Sequence, residues 1–349
     1  MSAKDNAIVA KIRVIYGKRL REKDYLELVS RKTVVDVADF LKRNTHYEST
    51  FSGVDTSSIH RGYLESILNK AYFDEYERLC KFQQLSDKPF FNFLLVRSEV
   101  RELLKAILFL NNENNDVYIR TMNAFLIKKA SFDLIELAKA KNFKGLLNVI
   151  KHTPYYSILN DIRPDEDGIV PYTKCEIRLR TYYLKWMLEA VNDNFDKKTQ
   201  KVLTQQIKVQ ADIVNIINAY RMKTFFDGDA QTLDDNSLPF YGRLSETRRN
   251  EIYEAENPKD FIKRLSKTVY GRLMENLTED MDSIQFEKEL ERLQCVIARR
   301  ALQFSDNAAV SLFSYMNLVE IEVKNLTSII EGIRYGRSIS YMQKLIVQT

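Results

Sequence analysis

The chain has few of the residues that interrupt helices. Among its 349 residues there are 10 glycines and 6 prolines, fewer than the roughly 7% and 5% found in an average protein. Leucine, isoleucine, lysine, glutamate and asparagine are abundant instead. This composition predicts an all-α protein, and the length is sufficient for two or three domains of ordinary size.

Cysteine is also scarce. The three cysteines, Cys80, Cys175 and Cys295, are far apart, and no Cys-x-x-Cys pair occurs. Their odd number and wide spacing argue against the disulfide framework of a small secreted protein. Because no secretory signal pattern is recognisable either, we expect a reduced, cytoplasmic chain.

Long apolar runs and a strong charge bias are missing as well. The longest apolar runs, such as Phe93–Val96, are far too short to cross a bilayer. We therefore expect the protein to reach a membrane only through a partner, as a peripheral protein on the cytoplasmic face. Lysine and arginine number 53 against 48 aspartates and glutamates, a net charge of +5. The charges are mixed along the chain, which is typical of solvated helix surfaces rather than of a nucleic-acid interface.

Familiar catalytic and metal-binding motifs do not occur in the sequence. There is no Gly-x-x-x-x-Gly-Lys-Ser/Thr phosphate loop, no His-Glu-x-x-His and no Gly-x-Ser-x-Gly. The three histidines, His46, His60 and His152, lack the spacing of metal ligands. The acids of Asp165–Gly168 are adjacent rather than alternate, so this segment does not match a calcium loop. We therefore expect no catalytic residue, no cofactor and no bound metal.

One helical pattern is present three times, about 110 residues apart. The copies are Val96–Ile107, Val209–Tyr220 and Val319–Ile330, and in each the apolar positions step by 4, 3 and 4 residues. These steps keep the apolar side chains on one side of a helix. Each copy has an acid one residue before its second apolar position and a polar residue three positions later, one turn along the helix. The six residues at these positions are Glu99 and Glu102, Asp212 and Asn215, and Glu322 and Asn325.

A second motif recurs with the same period. Short apolar helices are predicted to end in Thr-x-Tyr at Thr45–Tyr47, Thr153–Tyr155 and Thr268–Tyr270. Two histidines, His46 and His152, lie within or beside the motif, which indicates a local structural role for them. The two recurring motifs predict three similar helical repeat units, 1–117, 118–226 and 227–349.

The repeated acids admit two interpretations. In the first, Glu99, Asp212 and Glu322 are flank residues of core helices, and neighbouring arginines or backbone groups satisfy them. In the second, three related domains around an axis point these helices inward. Acid and amide groups would then line a central cavity that accepts an elongated partner.

These segments resemble a known family. Residues 322–336, with the pattern Glu-Val-Lys-Asn-Leu-x-x-Ile-Ile-Glu-Gly-x-x-Tyr-Gly, and Ala211–Ala219 are similar to motifs of the central-stalk subunit of V/A-type rotary ATPases. That protein is known as the C subunit in bacteria and archaea and as the d subunit in eukaryotes. The likeness extends over essentially the whole length. One departure is Glu102, which stands where the other copies have Asn215 and Asn325.

The resemblance implies an architecture and a role. The fold would be three similar helical bundles in a funnel with approximate threefold symmetry. The protein would lie on the membrane rotor ring, receive the foot of the central shaft and couple shaft to ring for ATP-linked proton or sodium transport. It would have no active site of its own. The six repeated acid and amide positions would line the shaft cavity.

Three alternatives remain open from the residues alone. The main one is a cytosolic helical-repeat scaffold that binds helical partner segments in a groove. A nucleic-acid-binding helical protein would bind in a strongly salt-dependent manner, and the weak charge bias disfavours it. An unrecognised enzyme would need a deep pocket with converging titratable groups.

Overall fold

The computed structural model of the protein describes residues 3–82, 88–112 and 125–348, and all regular secondary structure in these ranges is helical. Sixteen α-helices and four short 3₁₀ helices occur in these ranges, and no β-strand does. The prediction of an all-α protein is confirmed.

The α-helices are numbered here in chain order. They are α1 Ala3–Tyr16, α2 Glu22–Val29, α3 Val34–Asn44, α4 Arg61–Phe82, α5 Phe93–Asn111, α6 Leu134–Lys139, α7 Phe143–Val149, α8 Pro154–Leu159, α9 Tyr172–Asn194, α10 Lys197–Phe225, α11 Ala230–Asp235, α12 Glu246–Tyr253, α13 Pro258–Ser266, α14 Ser283–Phe304, α15 Ala308–Arg334 and α16 Ile339–Leu345. The 3₁₀ helices are Glu48–Phe51, Pro89–Asn92, Leu126–Lys128 and Gly271–Leu273.

Several helices begin at side chains that satisfy the free backbone N–H groups of the first turn. Asn257 accepts a hydrogen bond from the Asp260 amide, and Pro258 occupies the first turn of α13. Thr33 and Asp36 form a reciprocal capping box at the start of α3.

The helices divide into two compact units. The first compact unit consists of the described residues of Met1–Leu85, Lys223–Asp227 and Ala255–Thr349. Helix α15 is its core, because residues on every side of this helix are buried from Ala308 to Gly332. It packs against α14, α4 and α1.

The second compact unit consists of the described residues of Ser86–Met222 and Gly228–Glu254. Its long helices include α5 and α9, which pack against each other. The 3₁₀ helix Pro89–Asn92 also contacts α9. Phe195, at the end of α9, makes edge-to-face contacts with Phe90 and Phe91 of this 3₁₀ helix.

The division into three repeat units stays a prediction, as do the threefold symmetry and the funnel. The predicted boundary near 117 lies outside the described residues. The boundary at 226 falls inside Lys223–Asp227, a segment that groups with the first compact unit.

Within the described ranges, none of the helices combines the length and apolar character that a bilayer crossing requires.

Candidate functional site

The three acid-marked segments form parts of three long helices, α5, α10 and α15. All six predicted site residues are buried. Their exposed fractions are 4% for Glu99, 7% for Glu102, 3% for Asp212, 2% for Asn215, 1% for Glu322 and 0% for Asn325. Buried carboxyl and amide groups need hydrogen-bonding partners inside the protein, so the partners of each residue show how it is used.

Glu322 on α15 binds the segment that precedes α2. Its Oε1 accepts hydrogen bonds from Nη1 of Arg19 at 2.9 Å and from the Tyr47 hydroxyl at 2.8 Å. Its Oε2 accepts one from the Leu20 amide at 3.0 Å. Burial raises the pKa of the Glu322 carboxyl, but the Arg19 charge and the hydrogen bond from Tyr47 outweigh this effect and lower the pKa to about 2. The carboxylate is therefore ionised and held by charge as well as by hydrogen bonds.

Arg19 connects Glu322 to a second buried carboxylate. Its Nη2 forms an ion pair with Glu75 on α4, and its Nε and Nη2 donate to the Tyr315 hydroxyl at 3.0 and 2.6 Å. Tyr315 in turn donates to Glu75 at 2.8 Å. The side chain of Arg19 is only 5% exposed. One buried arginine thus ties α15 and α4 to the loop before α2.

His46 lies beside this network. Its Nε2 is 2.8 Å from Nη1 of Arg19 and 3.3 Å from Oε1 of Glu322. An arginine only donates hydrogen bonds, so the short contact with Arg19 assigns an acceptor role to this nitrogen. This placement fits the local structural role that its position in the Thr-x-Tyr motif suggests.

Asp212 on α10 accepts hydrogen bonds from three backbone amides. The amides of Gly242, Arg243 and Leu244 donate to its two oxygens at 3.0, 2.7 and 3.1 Å. A Cβ at Gly242 would lie 2.7 Å from Oδ2 of Asp212 and equally close to the Lys208 backbone. Glycine is therefore required for the chain to approach α10 so closely.

Glu99 on α5 combines one side-chain partner and one backbone partner. The Tyr155 hydroxyl donates to its Oε2 at 2.6 Å, and the Ser131 amide donates to its Oε1. Burial and the adjacent Glu99 charge both raise the pKa of Tyr155. Tyr155 therefore stays protonated and serves as a donor.

The three acids share one type of contact. Each accepts a hydrogen bond from a backbone amide located just before a short helix: Leu20 before α2, Ser131 before α6 and Leu244 before α12. Two of the acids, Glu322 and Glu99, also accept a hydrogen bond from the tyrosine of a Thr-x-Tyr motif. In the predicted division, Glu99 and Asp212 contact the unit that follows their own, and Glu322 contacts the first unit.

The two repeated asparagines also act alike. Asn215 accepts from the Leu238 amide at 2.8 Å and donates to the Leu238 carbonyl at 3.0 Å. Asn325 makes the same pair of bonds with Val347, at 3.0 and 2.6 Å. Each amide side chain therefore pairs with the backbone of an irregular segment, as another backbone would.

Glu102 occupies the equivalent position in α5. A carboxylate accepts hydrogen bonds but, when ionised, cannot donate to a carbonyl, so it cannot reproduce the two-way pairing of Asn215 and Asn325. Its Oε1 lies 4.0 Å from Nζ of Lys105. The presence of Glu102, where the other two copies have asparagine, therefore changes the hydrogen bonds that this position can form.

A polar cavity of about 520 Å³ opens in the first compact unit. Arg19, His46, Tyr47 and Glu75 of the buried network line part of it, and α4 provides much of the remaining wall. None of the six predicted positions lines this cavity. A direct contact between those six side chains and a shaft stays a prediction.

Sequence reasoning missed Arg19, Glu75 and Tyr315. The first follows Gly17-Lys18 in a loop without periodicity, so no pattern marks it. The other two lie on helix faces that look like ordinary core. The three residues are far apart in the sequence, and only their contacts in the folded chain show that they form one network.

The sequence also matches known proteins over nearly its whole length. Residues 8–345 match the family model described as ATP synthase (C/AC39) subunit. The C subunit of the A-type ATP synthase of Methanosphaera stadtmanae is 22% identical, over 95% of this chain and 84% of that protein. The C subunits of the A-type ATP synthases of Desulfurococcus sp. and Thermococcus onnurineus are 22% and 23% identical, over 94% and 97% of this chain and 86% and 88% of their own lengths.

Proposed function

We propose a function that starts from one premise: this chain belongs to the ATP synthase (C/AC39) subunit family. In this proposal it is a non-catalytic central-stalk subunit of a V/A-type rotary ATPase or ATP synthase. It couples the central shaft to the membrane rotor ring during ATP-linked transport of protons or sodium ions. Its partners are the shaft subunits and the ring, and it associates with the membrane through the ring.

The observation that carries the proposal is the full-length match to proteins named as the C subunit of A-type ATP synthases. The matches cover at least 94% of this chain and 84% or more of each relative. Similarity over the whole length is expected when a shared role depends on the whole structure rather than on one local motif.

The buried acid contacts support the mechanical part of this role. A coupling protein must transmit torque without deforming, and a rigid connection requires contacts that open rarely. Glu322 is held by an arginine, a tyrosine and an amide, and Asp212 by three amides. Charge-assisted hydrogen bonds in a buried setting are among the stronger polar contacts in proteins. They would resist relative movement of the elements they join.

The six acid and amide positions remain our proposal for the shaft cavity. These residues form hydrogen bonds within the chain. The stability of each variant must therefore be measured as well as its binding to the shaft. Reversing charge at Asp212 and Glu322 and finding weaker shaft binding at an unchanged melting temperature would support direct contact. If the double variant instead fails to fold, the two acids stabilise the fold and the proposed shaft contact is wrong.

The decisive experiment is a pull-down from detergent-solubilised membranes of the source cells with the full chain as bait. We expect shaft and ring subunits of a rotary ATPase in a fixed ratio. An unrelated helical protein of similar charge, immobilised in the same way, is the control. Recovery of only soluble proteins unrelated to rotary ATPases would overturn the proposal and favour the helical scaffold.

A further inference from the structure

The C-terminal end of α15 and the start of α16 carry a cluster of exposed aromatic and basic side chains. We call it the tyrosine–arginine surface. It consists of Arg334, Tyr335, Arg337, Ile339 and Tyr341, all of which are exposed. The exposed fractions of the three uncharged residues are 64% for Tyr335, 49% for Ile339 and 37% for Tyr341.

Two glycines build this surface. Gly336 has φ of +61° and directly follows the C-cap residue of α15. The Arg337 amide donates to the Gly332 carbonyl at 2.9 Å and the Gly336 amide to the Ile333 carbonyl at 3.1 Å, which is the Schellman arrangement that ends a helix and reverses the chain. A Cβ at Gly332 would lie 2.6 Å from the Met342 side chain. Gly332 therefore lets α16 pack directly on α15.

The surface is positively charged. Residues 332–349 contain Arg334, Arg337 and Lys344 but no aspartate or glutamate. Among the described residues, neither arginine has an ion-pair partner, whereas the nearby Glu331 already pairs with Arg61. Both arginines are therefore available to an external group.

The tyrosines hold the arginines in place. The guanidinium carbon of Arg334 lies 5.8 Å from the centre of the Tyr335 ring, and that of Arg337 lies 5.4 Å from the centre of the Tyr341 ring. Stacking on an aromatic ring limits the freedom of an exposed arginine. Less side-chain entropy is then lost when a partner binds. A planar guanidinium donates two parallel hydrogen bonds to a carboxylate.

We propose that the tyrosine–arginine surface docks an acidic protein surface of the rotary complex, an inference that rests on the proposed function. Tyrosine and arginine, together with tryptophan, are enriched among the residues that dominate the binding energy of protein interfaces. The charge calls for carboxylates on the partner. The surface is the place where this chain is joined to a neighbouring protein of the complex.

A lipid surface fits the same residues less well. The apolar side of α16 and the following residues packs inward, since Met342, Ile346 and Val347 are buried. The described residues of α16 and its sequel therefore leave no continuous apolar face to insert among acyl chains. Arg334, Arg337 and Lys344 are also fewer than the 4–8 clustered cations, by the usual rough count, that mark segments binding anionic lipid.

The test uses the full chain as bait on the solubilised membranes. We compare wild type, R334E/R337E and a control, R272E/R300E, which reverses two other exposed arginines of the first compact unit. Circular dichroism and thermal melting verify the fold of all three. We expect R334E/R337E to bind the rotary complex about tenfold or more weakly, with wild-type melting, while the control binds like wild type.

The other outcomes separate the ideas. Equal recovery of the complex by wild type and R334E/R337E would overturn the docking surface and leave the proposed function intact. Recovery of no rotary ATPase subunit by wild type would overturn the proposed function and this inference with it. If R334E/R337E lost only its binding to vesicles of phosphatidylcholine and phosphatidylglycerol, the surface would belong to the membrane and the protein-docking inference would be wrong.

Discussion

The buried acids of α5, α10 and α15 are stabilised in physically different ways. Glu322 relies on the charge of Arg19 and on two further donors. Asp212 relies on three backbone amides, and Glu99 on a tyrosine and one amide. Substitutions at the three positions should therefore differ in their cost to the free energy of unfolding, although the sequence pattern is the same at all three.

Glu322→Gln keeps the size of the side chain but removes its charge. Arg19 then retains only Glu75 as a carboxylate partner, and breaking a buried ion pair leaves a charge incompletely compensated. We expect a loss of about 3 kcal/mol in the free energy of unfolding, measured by urea denaturation. The control is Glu27→Gln, since Glu27 is 61% exposed in its pair with Arg31, and its cost should stay below about 1 kcal/mol. Equal effects of both substitutions would contradict this role of Glu322.

The same carboxylate predicts how stability responds to acid. The pKa of Glu322 is about 2 in the folded protein against 4.5 ordinarily. The unfolded chain therefore binds the extra proton between these values, and the stabilisation is complete above about pH 4.5 and lost as the pH falls toward about 2. We expect the free energy of unfolding of wild type to fall in this window by about 3 kcal/mol more than that of Glu322→Gln. Parallel pH profiles would show that Glu322 is not the group responsible.

The single residues that matter most were only partly predictable. The acids and the Thr-x-Tyr tyrosines stand out in the sequence because they repeat. Arg19 does not repeat, and its partners Glu75 and Tyr315 are 56 and 296 positions away. A contact of this range leaves no local periodicity, so it becomes visible only once the chain is folded.

At the scale of elements, the long acid-marked helices serve as attachment sites for irregular segments. Gly242–Leu244 lies against α10 through Asp212, and Leu238 through Asn215. Val347 lies against α15 through Asn325. Each helix therefore holds a piece of chain that has no regular structure to satisfy its own backbone groups.

Gly242→Ala tests this attachment. The added methyl group would lie within 2.8 Å of Asp212 and of the Lys208 backbone, so the segment must move away from α10. We expect a loss of about 2 kcal/mol in the free energy of unfolding. Gly62→Ala is the matched control, because its methyl group would meet only the His60 ring at 3.7 Å. A neutral result at Gly242 would show that the segment is not held tightly against the helix.

Elements were easier to predict from the sequence than single contacts. The 4-3-4 apolar steps predicted the helices that became parts of α5, α10 and α15, because burial of one side of a helix imposes that period. The Asn257 cap and Pro258 at the start of α13 are equally local signals. What each helix holds through its acid could not be predicted, since the partners are irregular segments without a signature.

On the scale of the whole molecule, the family membership and the buried polar contacts both support the proposed coupling role. The relatives named as the C subunit of A-type ATP synthases match nearly all of this chain. Buried polar contacts brace its helices, and one surface, 334–341, offers exposed arginines and tyrosines. The proposed coupling function predicts that this chain is dispensable for ATP hydrolysis by the catalytic head but necessary for transport.

The measurement that follows is ATP-driven ion uptake by membrane vesicles from which this chain has been removed. Proton-sensitive and sodium-sensitive dyes report transport, and phosphate release reports hydrolysis in the same vesicles. We expect hydrolysis to continue without the chain, transport of the relevant ion to stop, and added wild-type chain to restore transport. Full-rate transport in vesicles that lack the chain would show that it does not couple the shaft to the ring.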